Sequence, residues 1–228
     1  MEFLENLSDS LSPYKDLVAN IATTMTIAQL MTPILLINDI RKMKTTEGIS
    51  IVPFLGGAVL CTLFLQFGQM IGDPVTVKVN IVGVLLSLFY LLAFYYYTPI
   101  KEKFSVWSKI GGAFIFSTGI ILYTMYEDPT LVEMRFGMIL TGLLYLVMAA
   151  PMADLKHVIR DKSTESLPFP IILMGFIVSF VWLIYGIILN SLFMVFQNIF
   201  AVLLTGFQLS FFAIYPSTPK VKDTKKKN

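Results

Sequence analysis

The chain has 228 residues, 56% of them apolar and only 14% charged, with a formal net charge of +2 and a single cysteine; its mean hydropathy is +0.74. Soluble domains carry about 25% charged residues, so this composition excludes an ordinary water-soluble enzyme or binding domain. It marks a membrane protein whose partner is the lipid bilayer, with no nucleic acid implied.

Read in chain order, the opening "MEFLENLSDS" lacks a basic region followed by an apolar core, so it is not a cleavable signal peptide. Residues 1–16 are expected to form an extracellular N-terminus, in which Asn6-Leu7-Ser8 is a glycosylation sequon of low specificity. A span needs about 20 mostly apolar residues. Charge-free runs occupy 17–38, 48–72, 79–100, 110–126, 136–153 and 166–219. The last is 54 residues long, too long for one helix, and Asn190-Ser191 near its middle is the natural turn. Seven helices follow.

Seven crossings put the two termini on opposite sides. One side then collects 14 of the 17 Lys and Arg residues, and the other has only Lys15, Lys78 and Arg135. Basic residues accumulate in short cytoplasmic loops, so the N-terminus is expected outside. The basic tail, residues 217–228, is expected to be cytoplasmic, disordered and attracted to anionic lipid. Its last four residues fit a dilysine retrieval pattern, which keeps the Golgi and the endoplasmic reticulum open beside the plasma membrane. Cys61 lies inside the second run, which excludes an intramolecular disulfide and a cysteine-based metal cluster.

Two heptapeptides, "KTTEGIS" at 44–50 and "KSTESLP" at 162–168, stand 118 residues apart. The same offset relates Pro33 to Pro151, Phe64 to Trp182, Gly68 to Gly186 and Asn80 to Asn198. Such self-similarity is an internal duplication. Each copy holds three helices, residues 17–100 and 135–216. Two odd-numbered copies joined directly would be inverted relative to each other. The unpartnered helix within 101–134 is a linker that restores the second copy to the orientation of the first. The expected fold is therefore an all-α membrane protein of seven transmembrane helices, two parallel three-helix repeats and a linker, 3+1+3. Repeats of this kind are a transporter architecture that binds substrate near the midplane, where the copies meet.

The doubled patterns "TP…KTTE…P" and "AP…KSTE…P", with the two asparagines, resemble the SWEET sugar transporters, or MtN3/saliva family. The resemblance covers about residues 17–216 and is nearest to the animal branch through "APMADLKHVIRDKSTESLPFP". It implies a bidirectional sugar uniporter working by alternating access, with no cofactor, no metal and no enzyme activity. Homo-oligomers stay open, because one sequence shows no lipid-facing interface.

Pro33, Pro53, Pro151 and Pro168 match the family's hinge tetrad. A helix-interior proline removes a backbone hydrogen bond and kinks the helix. Pro53 and Pro168 are 115 rather than 118 residues apart, and Pro170 competes with Pro168 for the role. Asn80 and Asn198 lie in apolar runs where a carboxamide is costly without a partner. Its donors and acceptors suit sugar hydroxyls, against the alternative of glue between helices; in the family this pair contacts the sugar. Phe64 and Trp182 offer aromatic faces to the C–H faces of a sugar ring. Trp182 matches the family's pocket tryptophan, while an interfacial belt is the alternative for its position. The bulk of Phe64 favours a glucose-like hexose, with disaccharides left open.

Plant members commonly close the outer side with a tyrosine just before the first-copy glycine and an aspartate five residues after the second-copy glycine. Here those positions hold Phe67 and Ser191, and the two-fold mates Tyr185 and Asp73 carry the same chemistry with the copies exchanged. An outer gate of Asp73 and Tyr185 is one reading; a solvated loop aspartate is the other. His157, among Lys156 and Arg160, is expected to be structural, and the threonines and serines of the doubled heptapeptides are expected to cap helix starts.

The spans carry no carboxylate pair that would couple transport to protons or sodium. The competing readings are a PQ-loop transporter of amino acids or other solutes, disfavoured because neither turn has a Pro-Gln dipeptide, and a seven-helix receptor, which has no reason to repeat three helices in parallel.

Overall fold

The computed structural model describes residues 2–149, 158–164, 167 and 169–215, and every regular element among them is helical. In chain order these are α1 (Glu2–Leu11), α2 (Lys15–Leu30), α3 (Pro33–Met43), α4 (Val52–Met70), α5 (Pro74–Tyr97), α6 (Ile100–Tyr126), α7 (Val132–Ala149), α8 (Phe169–Ile188) and α9 (Leu192–Ile214). Among the described residues six runs are long and apolar enough to cross a membrane: Leu4–Met43, which takes in most of α1 and all of α2 and α3, and then α4, α5, α6, α8 and α9. α7 carries the fifth expected span, whose last residues, 150–153, lie outside the described ones.

The expected helix ends need correcting, because counting charges finds the apolar length and not the caps. α6 starts at Ile100 instead of 110, taking Lys101, Glu102, Lys103 and Lys109 into its first turns. α5 starts at Pro74 instead of 79, where Asp73 caps it. The run 17–38 is two helices, broken before Pro33. Residues 1–16 hold α1, a short acidic helix that charge-free runs in the sequence do not mark. Ser8 Oγ on α1 donates to the Ile188 carbonyl at 2.9 Å, fastening α1 to the end of α8.

The duplication is visible in backbone detail. Each heptapeptide begins on a residue in the left-handed region, Lys44 at φ 55° and Lys162 at φ 48°. α4 and α8 end in matching turns, with Gly72 at φ 67° and Asn190 at φ 51°. In each turn the next N–H reaches back five residues: Asp73 to the Gly68 carbonyl at 2.9 Å, and Ser191 to the Gly186 carbonyl at 3.0 Å. This is the Schellman arrangement, which satisfies carbonyls that a helix end would leave unpaired. It brings the following helix so close that a Cβ on Gly68 would sit 2.9 Å from Thr76 Cγ2 and one on Gly186 would sit 2.8 Å from Met194 Cβ. Thr76 and Met194 are again 118 apart.

The tightest packing is of α4 on α5 and of α8 on α9, the last two helices of each copy. The copies meet where α2 packs on α8 and α4 on α7. The α4–α7 seam is apolar, formed by Leu63, Phe67, Phe136 and Leu140, all essentially inaccessible. Large apolar side chains cover the outside, among them Ile100 at 90% and Phe104 at 83% exposure, as expected of a surface that faces hydrocarbon.

The corner at the basic end departs from expectation in part. Ile51 before α4 makes no side-chain cap bond, and the first N–H of the helix, Val52, bonds to Ser50 Oγ at 3.2 Å. Thr46 and Thr164 are instead turned inward, 3% and 1% exposed, and Thr46 Oγ1 reaches Thr98 Oγ1 at 3.5 Å. The Thr46 hydroxyl thus holds the first corner from within, while Glu47 pairs on the surface with Lys101 at 3.5 Å.

Candidate functional site

At the N-terminal end, Asp73 stands at the junction of the α4 turn and α5. Its Oδ2 accepts from the Thr76 N–H at 2.8 Å, and Oδ1 accepts from the Tyr185 hydroxyl of α8 at 2.7 Å. Asp73 is 4% and Tyr185 1% exposed. The solvated-loop alternative for Asp73 is therefore ruled out. A carboxylate away from water needs such donors, and here they come from both copies: the cap from the first and the hydroxyl from the second. At the mates, Phe67 packs its ring against Phe136 and Phe193, and Ser191 makes no side-chain cap bond.

One turn before Tyr185 on α8, Trp182 Nε1 donates to Thr26 Oγ1 of α2 at 2.7 Å. Thr26 Oγ1 in turn donates to the Ala22 carbonyl at 2.7 Å. The indole meets the Tyr185 ring edge-on, with centroids 5.6 Å apart. Trp182 thus lies at the seam between the copies, bonded to α2. Its intended mate Phe64 packs against the apolar α4–α7 cluster.

Asn80 and Asn198 adopt the same pose in α5 and α9. Their Nδ2 atoms donate to the carbonyls four residues back, Thr76 at 2.8 Å and Met194 at 2.7 Å. Each carboxamide keeps its oxygen and second N–H without a partner among the described residues. The interhelical-glue alternative predicts bonds to another helix, and neither side chain makes one there.

Pro33 begins α3, and the chain before it shows how a proline break is made tolerable. Lacking an N–H, Pro33 abandons the Gln29 carbonyl, which instead takes the Thr32 N–H at 3.1 Å and Thr32 Oγ1 at 2.7 Å. The Ile34 N–H bonds to Met31, not to Leu30, and the vacated Leu30 carbonyl accepts from Tyr90 OH of α5 at 2.9 Å. Pro53 lies in the first turn of α4, where a missing N–H costs nothing. Pro151, Pro168 and His157 lie outside the described residues.

Thr26, Tyr90 and Gln197 are absent from the sequence reading. Gln197 is 3% exposed and donates to Thr141 Oγ1 of α7 at 2.7 Å. A buried amide next to Asn198 in an apolar helix was the available signal. Thr26 and Tyr90 carry none, since their partners come from other helices. Among the described residues no cluster of His, Cys, Asp or Glu could hold a metal ion.

A cavity of about 620 Å³ opens at the N-terminal end between the α4–α5 and α8–α9 turns, bordered by Lys15, Asp73, Glu133 and Asn190.

A family model described as "Sugar efflux transporter for intercellular exchange" matches residues 16–103 and 134–220, the two copies with the linker left out. The chain belongs to the SWEET family. A sugar transporter SWEET1 of Drosophila pseudoobscura is 35% identical over 207 residues, covering 88% of this chain and 89% of the relative. The bidirectional sugar transporter SWEET4 of Arabidopsis thaliana is 28% identical, covering 83% and 78%. A solved eukaryotic SWEET transporter superposes with a TM-score of 0.82 at 24% identity, covering 91% of this chain and 99% of that one. This SWEET chain therefore has the 3+1+3 helical fold, and the PQ-loop and receptor readings gain no support.

Proposed function

We propose that this SWEET chain carries sugar across the membrane by uncoupled, bidirectional alternating access. The observation that carries the reading is the Asn80–Asn198 pair. Two amides at matched positions are steadied by one local bond each and keep hydrogen-bonding capacity free in otherwise apolar helices. That capacity suits a neutral, hydroxyl-rich solute. The names of the relatives from Drosophila and Arabidopsis, both sugar transporters, support the same substrate class.

In this reading Trp182, held by Thr26, walls the substrate site, and Phe64 narrows it toward a glucose-like hexose. The Tyr185–Asp73 bond closes the outer gate. The break at Pro33, with Pro53, Pro151 and Pro168, lets the other end open. The protein sits in the plasma membrane with its N-terminus outside. Residues 17–100 and 135–216 move about the linker helix.

The test is uptake of labelled glucose and sucrose into transport-deficient cells, comparing wild type with Asn80→Ala and Asn198→Ala. Both substitutions are expected to abolish glucose uptake. Uptake insensitive to both would overturn the central site, and sugar accumulated against its gradient in proteoliposomes under an imposed pH or sodium gradient would overturn the uncoupled mechanism.

A further inference from the structure

At the basic end, a cavity of about 780 Å³ opens between the end of α3, the end of α5 and the start of α6. Arg41, Lys44 and Lys103 line it together with Tyr96, Tyr97 and Thr98, and the lining contains no carboxylate. The nearby acids are engaged elsewhere or do not line the cavity: Glu47 pairs with Lys101 at 3.5 Å and Asp39 with Lys42 at 3.6 Å, while Glu102, in the first turn of α6, is not part of the lining. Lys103 is held over the Tyr95 ring, 5.3 Å from its centroid, and Arg41 is steadied by Asn38 at 2.9 Å. None of the three cations has a carboxylate partner among the described residues.

The fold does not require this cluster. At the 118-residue offset Lys44 is matched by Lys162, but Arg41 is matched by Ile159. Lys103 stands on the linker helix, which has no counterpart in the second copy. The cavity also borders an apolar strip: Ile100, Phe104 and Trp107, spaced to share one face of α6, are 90%, 83% and 61% exposed. Cations beside a hydrocarbon-facing strip fit an amphiphile with an anionic head.

We propose that this cavity binds the headgroup of an anionic phospholipid, with the acyl chains lying along Ile100, Phe104 and Trp107. Because Arg41 is on α3, Lys44 ends it and Lys103 is on α6, the bound lipid ties the segment beyond the Pro33 break to the linker helix.

Trp107 is one of only two tryptophans and stands one turn along α6 from Lys103, so it reports occupancy. The protein is reconstituted in phosphatidylcholine vesicles containing a minor fraction of dibrominated phosphatidic acid or, in the parallel arm, dibrominated phosphatidylcholine. Quenching by the anionic lipid is expected to exceed that by the neutral one. Each of Arg41→Gln, Lys44→Gln and Lys103→Gln is expected to lower the enrichment about five-fold, given about 1 kcal/mol per basic residue at an anionic surface. Equal quenching by the two lipids overturns the proposal. An excess that survives the cation substitutions, or survives Trp107→Phe, places the lipid elsewhere and also overturns it. Relief of the excess by inorganic phosphate at millimolar concentration would assign the cavity to a soluble phosphate compound and not to lipid.

Discussion

Tyr90 spans from α5 to the break in the first helix, and its hydroxyl is what the Leu30 carbonyl has in place of a helical N–H. Leaving a buried acceptor unpaired costs about 1–3 kcal/mol. Tyr90→Phe is therefore expected to lower stability by about that amount, measured by denaturant unfolding in detergent, and to change transport rate through the freed hinge. An unchanged unfolding midpoint would show that the carbonyl finds another partner. The Tyr185–Asp73 bond allows a sharper test. A hydrogen bond to a charged group contributes about 1.5–3 kcal/mol, so Tyr185→Phe and Asp73→Asn are each expected to destabilise, and the double variant by less than their sum. Strict additivity would mean that the two side chains do not depend on each other. If Asp73→Ala leaves both transport and outward accessibility unchanged, the outer-gate role fails.

At the scale of the helices, the matched turns after α4 and α8 make a prediction that tests the duplication itself. Cβ atoms added at Gly68 and Gly186 would meet the backbone of the next helix as well as its side chains, at 3.1 Å from Val77 N and 3.2 Å from Val195 N. Backbone cannot swing aside as a side chain can, so Gly68→Ala and Gly186→Ala are each expected to cost about 1–3 kcal/mol. The check is the unfolding midpoint of each variant; a large effect at one site only would mean that the two turns pack differently despite their common geometry. These turns also show what was legible beforehand. Asn190-Ser191 was readable as a turn because polar residues stood alone in a long apolar run, and the repeat was readable because chemistry recurs at a fixed offset. The break before Pro33 and helix α1 were not. The first depends on carbonyls being rescued by Thr32 and by Tyr90, which is 57 residues further along. The second carries two glutamates and an aspartate within ten residues, so no charge-free run marks it.

Over the whole molecule, the site residues divide in the same way. The asparagines are legible because an apolar helix does not hold a carboxamide without reason, whereas the roles expected of Trp182, Asp73 and Tyr185 are legible only through the resemblance to the family. Thr26 and Tyr90 escaped because their importance lies in a partner on another helix, whereas Gln197 carries the same amide signal as Asn198 beside it. The connection between the linker and the second copy is a local feature with a consequence for the whole molecule, and it titrates. Glu127, just after α6, accepts from Arg135 of α7 at 2.8 Å and from Tyr123 OH. The Tyr123 hydroxyl first and the Arg135 guanidinium second hold its carboxyl at about 2, against an ordinary 4.5. Because the folded value is the lower one, the contribution to stability is complete above the ordinary value and is lost as pH falls from there toward about 2. Glu127→Gln is therefore expected to lower the thermal midpoint near neutral pH, with the gap from wild type closing as the solution is acidified below 4.5. Arg135→Gln should lower the midpoint in the same pH range. A gap independent of pH would mean that Glu127 acts through its shape and not its charge, leaving the linker joined to the second copy by packing alone.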